Sequence, residues 1–188
     1  MLEHRTEKWV PVFRKNDAKS EIQSDVRESR ITHVALAAKR AGTMSLDGVY
    51  DSDNIFARIV RGEIPAVRIA EDQDTLAFMD AFPQSSGHCL VIHRTSRARN
   101  LLDVEPEALI AIMSTVQRVA RAVKLALAPD GIVVTQFNGA PSGQTVFHLH
   151  VHIIPRWTGV ALGRHGEGMA DPKALGELAA RIAARLNG

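Results

Sequence analysis

Nine consecutive residues limit the fold of this chain more than any other stretch: Phe147-His148-Leu149-His150-Val151-His152-Ile153-Ile154-Pro155. Successive side chains of a β-strand point to opposite faces. As a strand, the segment turns Leu149, Val151 and Ile153 one way and His148, His150 and His152 the other. The apolar face demands apolar structure behind it, because burial of such side chains holds a strand in place. Three histidines opposite serve no core, and a solvated face is made more simply from Thr, Lys or Glu. Their Cα atoms would stand about 6.5–7 Å apart, two residues of strand rise. The segment predicts a sheet covered on one side and lined with histidines on the other.

The rest of the chain supplies neighbours for that sheet. Ser52 or Asp53 is placed to cap a short helix over 54–61, with Ile55, Phe56, Ile59 and Val60 on one side and Gly62 as its stop. Strands are expected over 67–70 and 75–80, separated by the acidic turn Glu71-Asp72-Gln73-Asp74. A third strand, 88–93, follows the loop Pro83-Gln84-Ser85-Ser86-Gly87, and its Cys89-Leu90-Val91-Ile92 run predicts burial on both faces. The longest helix should run from 105 to 128, with Pro106 in its first turn, where no amide donor is missed. Leu109, Ile112, Met113, Val116, Val119, Ala120, Val123 and Leu127 recur at helical spacing, an uninterrupted apolar stripe that reads as core. After Pro129-Asp130-Gly131 come strands over 132–138 and 146–154. A last helix over 172–186 is capped by Asp171, with Leu175, Leu178, Ile182 and Leu186 inward. Clustered strands with few helices between them predict an α+β domain built on an antiparallel sheet.

Residues 1–48 differ in character. They carry nine basic and seven acidic side chains, against fourteen of each in the rest, so they account for the whole net charge of +2. Trp9, Val10, Val12 and Phe13 around Pro11 are too few for a core, and 25–41 has a ragged apolar stripe ended by Gly42. This stretch reads as a loosely attached extension or a partner-binding arm, with the folded domain over 49–188; Met44 is an alternative translation start. So small a net charge makes no electrostatic case for a nucleic-acid polymer or a membrane surface. No apolar run approaches the ~18–20 residues of a membrane span, and the charged N-terminus lacks the apolar middle of a secretion signal. One cysteine, Cys89, cannot form an internal bridge. A cytoplasmic protein is the expectation.

Two chemistries use imidazoles in a row. Neutral imidazoles two apart on a strand can share a metal ion, although such sites usually add a carboxylate or cysteine that this strand lacks. Alternatively one neutral imidazole attacks an electrophile while its neighbours orient it or move protons. The loop Asn138-Gly139-Ala140-Pro141-Ser142-Gly143-Gln144-Thr145 favours the second, because glycines, hydroxyls and amides just before the strand suit an anion. An anion-binding loop beside a nucleophile is what phosphoryl transfer requires.

With that loop, Gly143-Gln144-Thr145-Val146-Phe147-His148-Leu149-His150-Val151-His152-Ile153-Ile154 resembles the signature of the histidine triad (HIT) proteins, His-φ-His-φ-His-φ-φ with φ apolar. The likeness extends through Asn54-Ile55-Phe56-Ala57-Arg58-Ile59-Val60-Arg61-Gly62-Glu63-Ile64-Pro65, Leu76-Ala77-Phe78-Met79-Asp80 and Gly87-His88-Cys89-Leu90-Val91-Ile92, covering roughly 54–157. The resemblance implies a five-stranded antiparallel sheet with one long helix and a C-terminal helix, the sheets of two copies joining in a homodimer. It implies hydrolysis or transfer at the α-phosphate of a purine nucleotide, with His150 as nucleophile, His148 and His152 orienting it and assisting proton movement, and His88 in support. Asp80 matches a ribose-binding carboxylate, Phe56 and Ile59 the apolar walls around the base, and Asn138, Gly143, Gln144 and Thr145 the phosphate contacts. Each also has a plainer reading: core for Phe56 and Ile59, a turn cap for Asp80, loop backbone for Asn138 and a hydrogen-bonded buried imidazole for His88.

Many bacterial relatives hold a structural zinc on two cysteines flanking the Ile-Phe pair, a histidine after the third strand and the first triad histidine. Here Asn54, Ala57 and Ser96 occupy three of those positions, so neither metal nor cofactor is expected. His93 replaces a usual proline, and neither it nor His165 has a motif role. A non-catalytic nucleotide sensor or scaffold, or a metal-dependent hydrolase with the three histidines as ligands, are the alternatives to covalent catalysis.

Overall fold

A computed structural model of the chain describes residues 46–164 and 168–186, all within one compact unit spanning 39–188. The expected helix over 25–41, the aromatic cluster at 9–13, Met44 and His165 lie outside the described residues.

The chain order is α1 (Ile55–Val60), β1 (Arg68–Glu71), β2 (Thr75–Met79), β3 (Cys89–His93), α2 (Pro106–Leu127), β4 (Gly131–Thr135), β5 (His150–Arg156) and α3 (Pro172–Ala183). The strands form one five-stranded antiparallel sheet in the order β1-β2-β3-β5-β4. The α+β architecture is the expected one. Strand periodicity divides its side chains cleanly. Ala77, Met79, Cys89, Val91, Val151 and Ile153 share a core with Ile112, Val116, Val119 and Val123 of α2 and Leu175 and Ile182 of α3. Leu76, Phe78, Leu90 and Ile92 pack on the opposite face against Phe56 and Ile59 of α1. Because β2 and β3 are buried throughout, they read as continuous apolar runs. In the β3–β5 register His150 stands opposite Ile92 and His152 opposite Leu90, which puts both histidines on the α1 face. The Cys89 thiol sits in the middle of the helix-side layer, where burial, reinforced by the Asp80 charge, pushes it up to about 12.

Several local expectations are corrected. Asn54 caps α1, its Oδ1 accepting the Phe56 and Ala57 N–H groups at 3.0 Å each, while Asp53 pairs with Arg61 instead. The inward stripe of α2 is Ala108, Ile112, Thr115, Val116, Val119, Ala122 and Val123, so it does contain a polar member: the Thr115 hydroxyl lies 2.9 Å from that of Thr75. Met113 is exposed, because a turn of 3.6 residues carries it away from the sheet. The helix closes at Ala128 in a left-handed conformation, and α3 ends at Ala183 rather than 186.

The largest correction concerns β4 and β5. β4 stops at Thr135 and β5 starts at His150, not at 146. Between them Gly139 and Gly143 adopt left-handed φ values of 81° and 104° around a single 3-10 turn, Ala140–Ser142. The Leu149 N–H then turns to the Ala98 carbonyl at 2.9 Å instead of joining the ladder. His148 therefore precedes the strand. No helix among the described residues is long and apolar enough to cross a membrane.

Candidate active site

The three histidines are all buried, but they are held in different ways. A carbonyl oxygen only accepts, so the 3.0 Å contact between His148 Nε2 and the His93 carbonyl puts a proton on Nε2. His148 Nδ1 then accepts from the Tyr50 hydroxyl at 2.6 Å. The same logic applies one turn of the pleat later. His150 Nδ1 lies 2.7 Å from the His148 carbonyl and must donate to it, which leaves Nε2 as the unprotonated nitrogen of His150, with its lone pair available. The Phe56 ring meets the His150 ring edge-on at 4.9 Å, and the His150 and His152 rings stand 5.0 Å apart at 66°. The rings share one side of the sheet even though only two of them share the strand.

A second chain of contacts fixes His152. The Gln84 N–H donates to His88 Nδ1 at 3.1 Å, so His88 Nε2 carries the proton and donates it to His152 Nδ1 at 3.0 Å. His152 is thereby set with its remaining proton on Nε2. Asp80 Oδ2 stands 3.5 Å from His88 Nδ1, and its other oxygen accepts the Phe82 N–H at 2.8 Å. Asp80, His88 and His152 bring their ligand atoms within 4.8 Å of one another. Both nitrogens of His88 are already committed, however, to the Gln84 N–H and to His152 Nδ1, so the trio does not fit a metal cage.

His150 and His152 open onto a cavity of about 890 Å3, near the top of the ~300–1,000 Å3 range of small-molecule sites. Phe56, Ile59, Asp80, Gly143 and Thr145 line it, as the sequence predicts, together with Phe78, Phe137 and Met169. Among the described residues its wall contains no Lys or Arg. Four predicted residues stand back from it. His88 and His148 reach it only by hydrogen bonds, His88 to His152 Nδ1 and the His148 carbonyl to His150 Nδ1. Asn138 turns its Oδ1 to the Leu101 N–H at 3.0 Å, and Gln144 is spent inside the loop, accepting from the Gly139 N–H at 2.8 Å and donating to the Arg99 and Val146 carbonyls. The Gly143 and Gln144 N–H groups, expected to cradle phosphate, close the 3-10 turn on the Ala140 and Gly139 carbonyls. Thr145 is left as the loop's polar side chain on the cavity wall. Two residues escaped sequence reasoning. Phe137, between Gln136 and Asn138 at the start of the loop, packs 5.6 Å from the His152 ring, and an aromatic set between two amides was the available signal. Tyr50, far from His148 in sequence, gave none.

Burial pushes His148 down to about 4, with the nearby His150 and His93 acting the same way and the hydrogen bond to the His93 carbonyl only partly opposing them. The folded protein therefore binds this proton later than the unfolded chain as pH falls. Stability from His148 is fully present above about pH 6.5 and is lost between that value and about pH 4. Urea denaturation across this window should show a decline of at most about 3 kcal/mol that is flattened in His148→Asn; equal slopes in both proteins would refute it.

The HIT domain family model matches residues 61–159. Among similar proteins, adenosine 5'-monophosphoramidase hnt1 of Schizosaccharomyces pombe is 37% identical over 128 residues, spanning 65% of this chain and 92% of that protein. The crystal structure of a Hit-like protein from Bartonella henselae is 49% identical with a TM-score of 0.67, covering 72% of this chain and 98% of that one. A zinc-bound histidine triad family protein from Mycobacterium smegmatis is 35% identical with a TM-score of 0.63, covering 72% of this chain and 94% of that one. The residues here do not fit such a zinc. Asn54 is occupied as a helix cap, Ala57 has no donor, the Ser96 hydroxyl is bound to Glu105, and both His148 nitrogens are taken. For the same reason the three histidines do not converge on one ion.

Proposed function

This chain belongs to the histidine triad (HIT) family, and on that premise we propose that it is a nucleotide hydrolase or transferase that cleaves P–N or P–O bonds at the α-phosphate of purine nucleotides through a nucleotidyl-His150 intermediate. The observation that carries this reading is the 2.7 Å contact from His150 Nδ1 to the His148 carbonyl, which presents Nε2 as the nucleophile. An imidazole lacking that fixed proton would populate the wrong tautomer part of the time. The base would lie against Phe56, Ile59 and Phe78, with Asp80 at the ribose and Thr145 toward the phosphate.

The proton inventory closes if the His88–His152 pair enters the reaction with one extra proton, on His88 Nδ1, which then exchanges its contact with the Gln84 N–H for Asp80 Oδ2, 3.5 Å away. His150 Nε2 attacks phosphorus in line and the bond to the leaving group breaks. His152 Nε2–H protonates that group while His88 passes its Nε2 proton to His152 Nδ1. The deprotonated His152 Nε2 then takes a proton from water, which attacks phosphorus and releases His150, and the proton on His152 Nδ1 returns to His88. The reacting domain is assigned to 49–188.

A rapid-quench experiment tests this reading with adenosine phosphoramidate and diadenosine polyphosphate in parallel. Mass spectrometry should find one nucleotidyl group, mapped to His150. Turnover without an adduct, or with the adduct elsewhere, refutes the covalent route, and binding without any turnover leaves a nucleotide sensor.

The protein is also read as a homodimer joined through β4. This edge strand keeps Val133 and Val134 exposed, and Ile110 and Met113 are exposed on α2. An unpaired apolar edge is a template for strand pairing. Sedimentation should give twice the chain mass and Val133→Lys with Val134→Lys the single mass; a monomeric unaltered protein would dismiss the interface.

A further inference from the structure

Tyr50 is the single tyrosine of the chain and lies 98 residues before His148, yet its hydroxyl makes the 2.6 Å contact that completes the histidine's hydrogen bonding. The two rings are tilted at 54° with centroids 5.7 Å apart. Phe56, whose helix follows directly, places its ring against both His148 and His150. His148 does not line the cavity, so its influence on the reaction passes through its backbone carbonyl, the acceptor for His150 Nδ1. His148 is pinned at three points: Nδ1 to Tyr50, Nε2 to the His93 carbonyl, and its own carbonyl to His150. His93 is in turn fixed, its Nδ1 accepting the Ser96 N–H at 2.9 Å and the Thr95 N–H at 3.2 Å. Asn54 and Ser96, two of the residues standing where zinc-bound relatives are expected to carry ligands, thus contribute hydrogen bonds to the same framework.

We propose that Tyr50 is a positioning residue: by donating its hydroxyl proton to His148 Nδ1 it anchors the end of the ring that the His93 carbonyl does not reach and holds the His148 carbonyl where it orients the nucleophile His150. Without the hydroxyl, the ring is held only through Nε2 by the His93 carbonyl and is released to swing about that contact. The carbonyl that sets His150 then loses its fixed position. The catalytic part of this inference rests on His150 being the nucleophile; the structural part does not.

The test uses the full chain with 15N-labelled histidine. In the unaltered protein, long-range 1H–15N spectra should show His148 protonated at Nε2 and bare at Nδ1 from about pH 5 to about pH 8, one tautomer throughout. In Tyr50→Phe the His148 signals should broaden and shift as the ring loses its second anchor. With adenosine phosphoramidate, kcat should fall about tenfold or more while KM is unchanged, since a full ångström of misplacement costs about 100-fold. Treatment of the unaltered protein with a strong chelator should change neither readout. The proposal is overturned if Tyr50→Phe keeps both its His148 signals and its kcat, if kcat falls with those signals unchanged, or if activity depends on added zinc. The spectra of the unaltered protein decide the matter even where the variant does not fold, because a proton on His148 Nδ1 excludes Tyr50 as its donor. Absence of any nucleotide turnover would refute the proposed function while leaving the Tyr50 spectra fully informative.

Discussion

His150→Ala is expected to lower kcat for a nucleoside phosphoramidate by at least about 10⁴-fold, the scale seen when a nucleophile is removed from an otherwise intact site. That corresponds to more than about 5 kcal/mol of barrier. No neighbour can take over. The His148 nitrogens face Tyr50 and the His93 carbonyl, and His152 Nδ1 faces His88. Binding should survive, because Phe56, Ile59, Phe78 and Asp80 remain on the cavity wall. The affinity for adenosine monophosphate measured by calorimetry should therefore change little while single-turnover cleavage collapses. Near-normal turnover in this variant would mean that water attacks phosphorus directly.

His152→Gln carries the second large effect, and it should depend on what leaves. A general acid contributes about 10²–10⁴-fold, but only where the departing group needs a proton. A phosphoramidate expels an amine and should suffer the full loss. A p-nitrophenyl ester of the same nucleotide expels a stable anion and should release its first equivalent nearly as before, turnover stalling afterwards for want of the base that activates water. The ratio of the two first-turnover rates isolates proton donation from any damage to binding or to His150, since both substrates share the attack step. A variant slowed equally on both would place His152 in orientation, through its 5.0 Å contact with His150, and not in acid catalysis.

What the sequence made legible is what short-range periodicity controls. The alternation of Val151 and Ile153 with His150 and His152 defines the two faces of β5, and the continuous burial of Leu76–Met79 and Cys89–Ile92 marks the inner strands. The pattern fails where a residue answers to a distant one. His148 has the spacing of a strand residue, but the Leu149 N–H is captured by Ala98, so the ladder begins two residues later. Asn138 and Gln144 have the amides that a phosphate would want, and residue type alone does not distinguish an amide facing a ligand from one bracing its own loop. The zinc positions are a different case. Their substitution was visible in Asn54, Ala57 and Ser96, whereas the hydroxyl that meets His148 Nδ1 comes from Tyr50, a residue with no motif to mark it.

Because β5 is clasped between an apolar layer on its helix side and the cavity on its other side, single-residue changes along it should differ in kind from one position to the next. Polar replacements at 151 and 153 strike a core shared with Val119 and Ile182 and would be felt as loss of cohesion. Replacements at 150 and 152 touch chemistry while sparing the packing. Two traits are thus written on interleaved letters of one seven-residue word, and selection can revise the rate of this protein without rewriting the code for its durability.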